Sequence, residues 1–322
     1  MIRRVLLPGT GIETSCLGFG GASLGSRISP KVGLDALARA HEAGVAWYDL
    51  APAYGAGEAE SIFSRFLAGR RERLSILTKV GLAPPRRSPL LRMAYLAGRP
   101  LLALAQGLRK RTRHVRVTRN RALEITPALI ESSIRQSLSR LATDHVDVLA
   151  LHDPEPQAVT DEAVMRALQG VIARGQANFV GVAGSLEACL AGAQPGLPYT
   201  VFQTATRPGT SDFAEIKSYA GREVTIIGHS VLGVGGAKER LITHLRGDLS
   251  ARKDLAQAGY DAEDIEAGAG ALLLDAALAE NTAGVILVSM FKARHLADNV
   301  ARAEGPPRAA SLNLLRKLME RV

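Results

Sequence analysis

Cysteine is scarce in this chain of 322 residues, which has only Cys16 and Cys189. Two cysteines form neither a disulfide framework nor a metal-binding pattern, so we expect no disulfide-stabilised fold and no metal centre. Long hydrophobic runs are also missing: no run of about 18 uncharged apolar residues occurs, and no charged-then-apolar leader opens the chain. We therefore expect a protein of a reducing compartment, the cytoplasm, with no integral membrane segment.

Acidic residues are absent from residues 83–123, which contain eleven lysines and arginines. The whole chain has a formal net charge of +9, so the remainder carries 9 − 11 = −2. Because one segment supplies the excess charge, the charge does not indicate a nucleic-acid-binding protein. The segment is long for a loop, and such loops are usually functional or disordered. It is either a passive surface insertion or a lid whose arginines attract an anionic group.

A G-x-G-x-x-G loop is absent after the first predicted strand, which argues against a Rossmann fold. Instead, continuous apolar strands alternate with helical patterns, as is typical of a parallel sheet buried on both faces. Eight such units favour a closed barrel, and with no linker in sight we expect a single domain over residues 1–322. The eight predicted strands are residues 17–21, 45–49, 74–79, 145–152, 179–184, 199–205, 223–229 and 284–290.

Turn and capping residues predict the elements around these strands. Two short apolar runs flank PGTG at residues 8–11, which indicates a β-hairpin before the barrel. Ser29-Pro30 and Thr126-Pro127 each place a hydroxyl cap before a proline, a typical start of a helix. The tail from residue 305 is either a docked helix or part of a pocket rim. Further helices are predicted near residues 58–67, 161–174, 185–192, 212–220, 262–280 and 293–303.

Four polar side chains lie at, or just past, the carboxyl ends of three successive predicted strands: Asp49, Tyr54, Lys79 and His152. Taken singly, such a residue is more often a cap or an ion-pair partner. Together they suit delivery of a proton to a carbonyl oxygen while a hydride reaches the carbon. An ammonium next to a tyrosine lowers the pKa of the phenol, a carboxylate keeps the ammonium charged, and a histidine donor orients the carbonyl.

These residues resemble the aldo-keto reductase family. The resemblance rests on Asp49-x4-Tyr54-Gly55, on TKVG at residues 78–81 and on RLATDHVDVLALHDPEP at residues 140–156. It covers nearly the whole chain apart from residues 83–123. It implies an α/β fold, a (β/α)8 TIM barrel with an N-terminal β-hairpin at its bottom and a basic insertion after strand 3. It also implies a nicotinamide cofactor, with Tyr54 as the general acid/base of the four-residue set.

The resemblance implies a cofactor site across the barrel mouth. Gln203 matches a glutamine that contacts the nicotinamide carboxamide, and Ser230 matches a position near the pyrophosphate. His229 stands where the family usually has an aromatic ring. Ala183-Gly184 replaces the usual Ser-Asn pair, so carboxamide binding must rely on Gln203, on backbone groups or on water. Gly21 either lets a cofactor approach closely or only forms a tight turn.

The segment SMFKARHLADN resembles the part of the family that binds the adenosine phosphate, where a helix N-terminus and basic side chains form an anion site. Ser289 and His295 stand where many relatives have lysine and arginine. Lys292 and Arg294 are the nearby basic side chains that can bind a 2′-phosphate, and Asn299 matches an asparagine that contacts adenine. NADP(H) is therefore favoured as the cofactor, with NAD(H) possible.

Several functions remain open. The first is an oxidoreductase that interconverts a small aldehyde, ketone or sugar and its alcohol. The second is a non-catalytic or regulatory nicotinamide-binding protein on the same fold. The departure from the family pattern at Ala183-Gly184 favours this function, whereas the complete four-residue set argues against it. A glycosidase needs two carboxylates facing across a cleft, and Asp49 is already committed to Lys79. Nothing in the sequence indicates the oligomeric state.

Overall fold

The computed structural model describes residues 1–84, 120–233 and 236–320. Within these ranges, eight strands form a closed barrel in which all neighbouring strands are parallel. Helices alternate with the barrel strands along the chain. The predicted (β/α)8 TIM barrel is therefore confirmed. None of the helices in these ranges is both long and apolar enough to cross a membrane.

The barrel strands follow one another around the barrel in the order β3-β4-β5-β8-β9-β10-β11-β12, and β12 closes it against β3. Each of these eight overlaps a strand that the sequence predicted. The strands of the described residues are β1 (Arg4–Leu6), β2 (Glu13–Ser15), β3 (Leu17–Gly20), β4 (Trp47–Asp49), β5 (Ser75–Val80), β6 (Leu82–Ala83), β7 (Arg121–Ala122), β8 (Val146–His152), β9 (Ala177–Ala183), β10 (Val201–Ala205), β11 (Thr225–His229) and β12 (Val285–Val288).

The predicted N-terminal hairpin is confirmed, since β1 and β2 pair antiparallel with Arg4 opposite Ser15. Its turn lies at the amino-terminal end of the barrel strands. Thr225, the first residue of β11, donates its hydroxyl hydrogen bond to Pro8 O at 2.7 Å. Leu7 is fully buried. The hairpin thus covers the bottom of the barrel and leaves the carboxyl ends of the strands as the mouth.

Eight predicted helices are confirmed, and the tail forms a ninth. Among the described residues, the helices not predicted are α4, α8 and α9. The helices are α1 (Pro30–Glu42), α2 (Ala59–Leu67), α3 (Pro127–Leu141), α4 (Pro156–Thr160), α5 (Glu162–Ala173), α6 (Leu186–Ala193), α7 (Asp212–Ala220), α8 (Ala237–Gly247), α9 (Leu249–Gln257), α10 (Ile265–Glu280), α11 (Ala293–Ala303) and α12 (Ala309–Met319).

Capping explains which helices the sequence revealed. Ser29 and Thr126 accept hydrogen bonds from backbone N–H groups in the first turns of α1 and α3, as predicted. α8 instead follows Gly236 in a left-handed conformation and has no side-chain cap, so its start carries no signal. α9 does have one, because Asp248 Oδ1 accepts from Ser250 N at 2.7 Å. That cap was the missed clue to a helix in this region.

The side chains of strand β4 alternate between the helices outside the barrel and the barrel interior, because successive side chains of a strand point to opposite faces. Tyr48 points outward and packs on Phe63 and Phe66 of α2, with ring centroids 5.1 and 5.5 Å away. Trp47 and Asp49 therefore point into the barrel, and both are buried. The aromatic contact with α2 fixes the strand face that presents Asp49 to the interior.

A buried carboxylate connects the tail to the barrel helices. Asp275 on α10 accepts hydrogen bonds from Tyr260 at 2.8 Å and from Arg302 at 2.9 Å. The Tyr260 hydroxyl also lies 2.6 Å from Ser311 Oγ on α12. The tail thus forms a docked helix, as one of the two alternatives from the sequence predicted.

The predicted basic insertion lies largely outside the described residues, which exclude residues 85–119. Its two ends are described. They form a short antiparallel pair, β6 with β7, in which Leu82 lies opposite Ala122. The chain thus leaves and rejoins the fold next to the end of β5, at the mouth of the barrel, as expected from the sequence.

Candidate active site

Lys79 is the centre of the predicted four-residue set. Its ammonium donates hydrogen bonds to Asp49 Oδ1 at 2.5 Å, to Tyr54 Oη at 3.0 Å and to Leu50 O at 3.0 Å. These three bonds use all three donors of the ammonium. The side chain is 1% exposed. Lys79 and Asp49, both buried, are thus brought together with the half-buried Tyr54 in one cluster, as the sequence predicted.

Tyr54 reaches this cluster through a tight turn after β4. Gly55 has a φ of +60°, and a Cβ there would lie 1.7 Å from Leu24 O. Only glycine fits, which gives a physical reason for the Tyr54-Gly55 pair. The ring of Tyr54 lies edge-on to the imidazole of His152, with the centroids 5.6 Å apart. The fourth predicted residue therefore also belongs to the cluster.

The pKa of Tyr54 is shifted in the direction opposite to the one expected from the sequence. Burial raises the pKa of Tyr54 well above its usual value, and Asp49 raises it further. The expected net lowering of this pKa is therefore not observed, because burial and the charge of Asp49 outweigh the stabilising effect of the Lys79 ammonium. Burial lowers the pKa of Lys79, and Asp49 opposes that shift. At neutral pH Tyr54 is a protonated phenol, able to donate a proton.

His152, the last residue of β8, is a neutral imidazole. Burial lowers the pKa of His152 to about 2, and the charges of Lys79 and His229 act in the same direction. Its Nδ1 atom is buried and has no hydrogen-bond partner among the described residues. A neutral imidazole keeps one N–H donor and one acceptor nitrogen. His152 can thus donate a hydrogen bond to an uncharged ligand next to Tyr54.

The predicted carboxamide residue lies beside this cluster. In the sheet, Ala183 on β9 pairs with His152 on one side and with Gln203 on the other. Gln203 is 3% exposed, and its Oε1 atom has no partner in the described part of the chain. Ala183 and Gly184 offer no polar side chain, although Gly184 N donates to Gln203 O at 3.0 Å. A buried amide oxygen without a partner is the kind of group that a ligand satisfies.

The remaining predicted residues of the mouth follow neighbouring strands. Gly21 comes directly after β3 and is buried. His229 ends β11, and its Nδ1 lies 2.8 Å from Ser230 Oγ. Burial lowers the pKa of His229, while the charge of Asp49 opposes that shift, so His229 lies within electrostatic reach of the cluster. These three residues therefore share the edge of the barrel with Gln203.

The predicted phosphate segment follows β12. Helix α11 begins at Ala293, and no side chain caps its first turn. Its free N–H groups make this end of the helix suited to an anion. Ser289, Lys292 and Arg294 are exposed around this end, whereas His295 and Asn299 are half-buried on the helix.

Sequence reasoning missed a buried set behind Lys79. Glu60 on α2 is 1% exposed and accepts hydrogen bonds from Thr78 Oγ1 and from Arg140 Nε, both at 2.7 Å. Thr78 directly precedes Lys79 on β5, so the set fixes this strand against α2 and α3. A glutamate on the apolar face of a predicted helix was the available signal, since such a residue needs a partner.

Sequence reasoning also gave no role to Asp153. It directly follows His152 and has a φ of +47°. Its charge acts on the pKa values of Tyr54 and Lys79, so it belongs to the surroundings of the cluster. Nowhere in residues 1–84, 120–233 and 236–320 do histidine, cysteine and acidic side chains form a group that could hold a metal ion.

Comparison with known proteins identifies related sequences. A family model described as "Aldo/keto reductase family" matches residues 16–318. A D-threo-aldose 1-dehydrogenase from Pseudomonas sp. is 31% identical over 182 residues, 53% of this chain and 50% of the relative. An L-galactose dehydrogenase from Arabidopsis thaliana is 28% identical over 188 residues, 55% of this chain and 47% of the relative. The chain thus spans about half the length of these curated relatives.

Solved structures share the fold over almost the whole chain. An aldo/keto reductase from Klebsiella pneumoniae in complex with NADP and acetate has a TM-score of 0.68 at 16% identity, covering 98% of this chain and 95% of that one. The holo form of an aldo-keto reductase from Bacillus halodurans has a TM-score of 0.67 at 19% identity, covering 99% and 96%. At these identities the likeness concerns the fold alone.

The unpartnered amide gives a stability prediction. Gln203→Met should leave the free energy of unfolding unchanged, or raise it by up to about 1 kcal/mol, because it removes a buried carbonyl oxygen that has no partner. Asn281→Ala is the matched control, since the Asn281 amide is buried and donates to Ile226 O at 2.9 Å. We expect the control to lose about 1–3 kcal/mol in urea unfolding. A comparable loss for Gln203→Met would show that Gln203 is structural.

Proposed function

The chain belongs to the aldo/keto reductase family, and we propose that it is an oxidoreductase that interconverts small carbonyl compounds and alcohols with a nicotinamide cofactor. One observation carries the proposal: the buried ammonium of Lys79 is bonded to Asp49 and Tyr54 at once. A purely structural ion pair would need no tyrosine hydroxyl as a third member. The arrangement instead suits a proton donor whose conjugate base is stabilised in place.

In the direction of reduction, Tyr54 donates its proton to the carbonyl oxygen. The raised pKa of Tyr54 keeps the phenol protonated until the oxygen gains negative charge. The Lys79 ammonium then stabilises the phenolate that remains, and Asp49 holds Lys79 in position. His152 donates a hydrogen bond to the same carbonyl oxygen and stabilises the developing oxyanion. The cofactor, when bound, supplies the hydride.

The residues of the mouth fit a nicotinamide dinucleotide. The orphaned amide oxygen of Gln203 would bind the carboxamide. Gly21 lets the backbone after β3 pack closely, since a Cβ there would lie 2.8 Å from Leu50 Cδ2 and 2.9 Å from Asp49 O. Ser230 would lie near the pyrophosphate, and His229 would stack on the nicotinamide. The solved Klebsiella pneumoniae relative carries NADP. We propose NADP(H) as the favoured cofactor and NAD(H) as the second possibility.

The adenosine end of the cofactor would meet the start of α11. There the free helix N-terminus and the exposed side chains of Lys292 and Arg294 would hold the 2′-phosphate. Ser289 and His295 would contribute hydrogen bonds to the phosphate. Asn299, one turn further along the helix, would contact the adenine.

Sugars are the substrates that we propose within this class. The two curated relatives described above are named for an aldose and for galactose. A sugar presents a carbonyl, or its cyclic hemiacetal, among several hydroxyl groups. A non-catalytic nicotinamide-binding protein is the second candidate, favoured by the lack of polar side chains at Ala183 and Gly184.

Replacing the proton donor separates these two functions. Tyr54→Phe should lower kcat for the reduction of 4-nitrobenzaldehyde by about 10²–10⁴-fold, the loss expected of a missing general acid. The Kd of NADPH, measured by fluorescence quenching, should change less than about twofold because only one hydroxyl is removed. Tyr219→Phe, at an exposed position, is the control and should keep full activity.

A Tyr54→Phe variant with more than roughly a tenth of wild-type kcat would exclude Tyr54 as the acid. A wild-type protein that binds NADPH but reduces no aldehyde would instead support the non-catalytic function.

The cofactor preference gives a separate prediction. The double variant Lys292→Ala/Arg294→Ala should bind NADPH at least about tenfold more weakly, since a charge-assisted contact to the 2′-phosphate is lost. The Kd of NADH should change less than about twofold because NADH lacks that phosphate. The control, Arg166→Ala/Lys253→Ala, removes two exposed charges from other helices and should alter neither Kd. Equal losses for both cofactors would show that these side chains do not contact the 2′-phosphate.

A further inference from the structure

We propose that Asp153 is a substrate-binding residue whose carboxylate accepts a hydrogen bond from a hydroxyl group next to the reacting carbonyl. It would select hydroxylated carbonyl compounds over unsubstituted ones. The inference rests on the proposed function, because it concerns the substrate of that same reaction and specifies the group next to its carbonyl.

The backbone holds Asp153 at the edge of the site. Asp153 N donates to Ala183 O at 2.7 Å, which continues the pairing of β8 with β9 by one residue. At a φ of +47° the chain then turns in the left-handed region. Such a conformation is uncommon for residues other than glycine, although aspartate and asparagine adopt it more readily than most. A side chain kept at a left-handed position beside a reaction centre suggests a function for that side chain.

Gly184 supports this turn from behind. A Cβ at position 184 would lie 3.2 Å from Pro154 Cδ, which is tighter than most such contacts, and 3.4 Å from Asp153 Cα, at the edge of ordinary contact. A larger residue, such as the asparagine common at this position in the family, would press on the turn. The glycine that removes a polar side chain from the carboxamide region thus leaves room for Asp153 in its present position.

The carboxylate of Asp153 lies near the reacting groups and has no partner in the described part of the chain. Its charge raises the pKa values of Tyr54 and Lys79. It also opposes the lowering of the pKa of His229. Burial raises the pKa of Asp153, although the residue is exposed at the mouth. Its carboxylate is therefore open to a ligand that brings a hydrogen-bond donor.

The charges of the site indicate which donor fits. Asp49 compensates Lys79, and the lowered pKa values of His152 and His229 make both rings neutral at pH 7. Among these described groups, Asp153 therefore carries the one negative charge that is not compensated. A hydroxyl group can donate to it, whereas a substrate carboxylate is repelled. An ammonium next to an aldehyde is a poor alternative, because free amino aldehydes condense with themselves.

Two aldehydes of equal carbon number test the assignment. D-glyceraldehyde carries a hydroxyl next to its carbonyl, and propanal does not. Asp153→Asn and Asp153→Gly both tolerate the left-handed turn, and they remove the charge and the whole side chain respectively. We expect kcat/KM for D-glyceraldehyde to fall about tenfold or more in Asp153→Gly and less in Asp153→Asn. For propanal the loss of kcat/KM should be clearly smaller in both, because only the effect of the Asp153 charge on the pKa values of Tyr54 and Lys79 is removed.

Glyoxylate supplies a test in which the variant is expected to gain activity, because this aldehyde carries a carboxylate next to its carbonyl. Because Asp153 repels its carboxylate, Asp153→Asn should raise kcat/KM for glyoxylate, and a misfolded variant cannot produce such a gain. The matched control is Glu155→Gln, which removes one negative charge from an exposed side chain of the same loop. Glu155→Gln should leave kcat/KM for all three aldehydes within about twofold of wild type.

Failure of this inference is distinguishable from failure of the proposed function. Reduction of propanal by the wild-type protein tests the function alone. Saturation-transfer NMR with xylitol tests Asp153 without turnover: the polyol signal should be present for wild type and Glu155→Gln and lost for Asp153→Gly. The assignment is overturned if the Asp153 variants affect D-glyceraldehyde and propanal equally, if Glu155→Gln acts like Asp153→Asn, or if Asp153→Gly retains the xylitol signal.

Discussion

The site depends on one buried ammonium that is shared between a carboxylate and a phenol. Moving an isolated ammonium out of water is unfavourable by several kcal/mol, so Lys79 remains charged inside the barrel only because Asp49 and Leu50 O accept its hydrogen bonds. The pairing of β4 with β5 makes this possible, since it sets Asp49 opposite Leu77, two residues before Lys79. Glu60 and Arg140 hold the same strand from its outer side. Strand pairing and helix packing thus act together to hold one charge in place.

Burial then selects the protonation states on which the chemistry relies. It raises the pKa of Tyr54 and lowers the pKa of His152, so both rings are neutral near pH 7 and each has a hydrogen to donate. A carbonyl oxygen placed between them would receive one hydrogen bond from each. Other buried polar groups at the mouth, Gln203 Oε1 and His152 Nδ1, lack partners in the described residues. These two atoms lie where a ligand can satisfy them, whereas others, such as Asn281 Oδ1, lie elsewhere in the fold.

Local patterns in the sequence were sufficient for the barrel and for the four-residue set. Strands such as β5 and β8 are continuous apolar runs, and a polar residue at the end of such a run must lie at the mouth, which is how Lys79 and His152 were found. Quantities that depend on three-dimensional distances were not predictable. The direction of the pKa shift of Tyr54 depends on how Asp49 compensates Lys79, and the importance of Asp153 depends on its backbone turn and on Gly184. Helix α8 was missed because its start has no cap, and the basic segment lies mostly outside the described residues.

The central claim is that Lys79 stabilises the phenolate of Tyr54 during catalysis, and the pH dependence of alcohol oxidation tests it most directly. In that direction the phenolate is the base, so kcat should rise with pH towards the pKa of Tyr54. Circular dichroism would establish that the variant Lys79→Met is folded before its profile is recorded. The account predicts a lower kcat at neutral pH and a rise displaced to higher pH, because the remaining charge of Asp49 disfavours the phenolate. A folded Lys79→Met protein with the wild-type pH profile would contradict it.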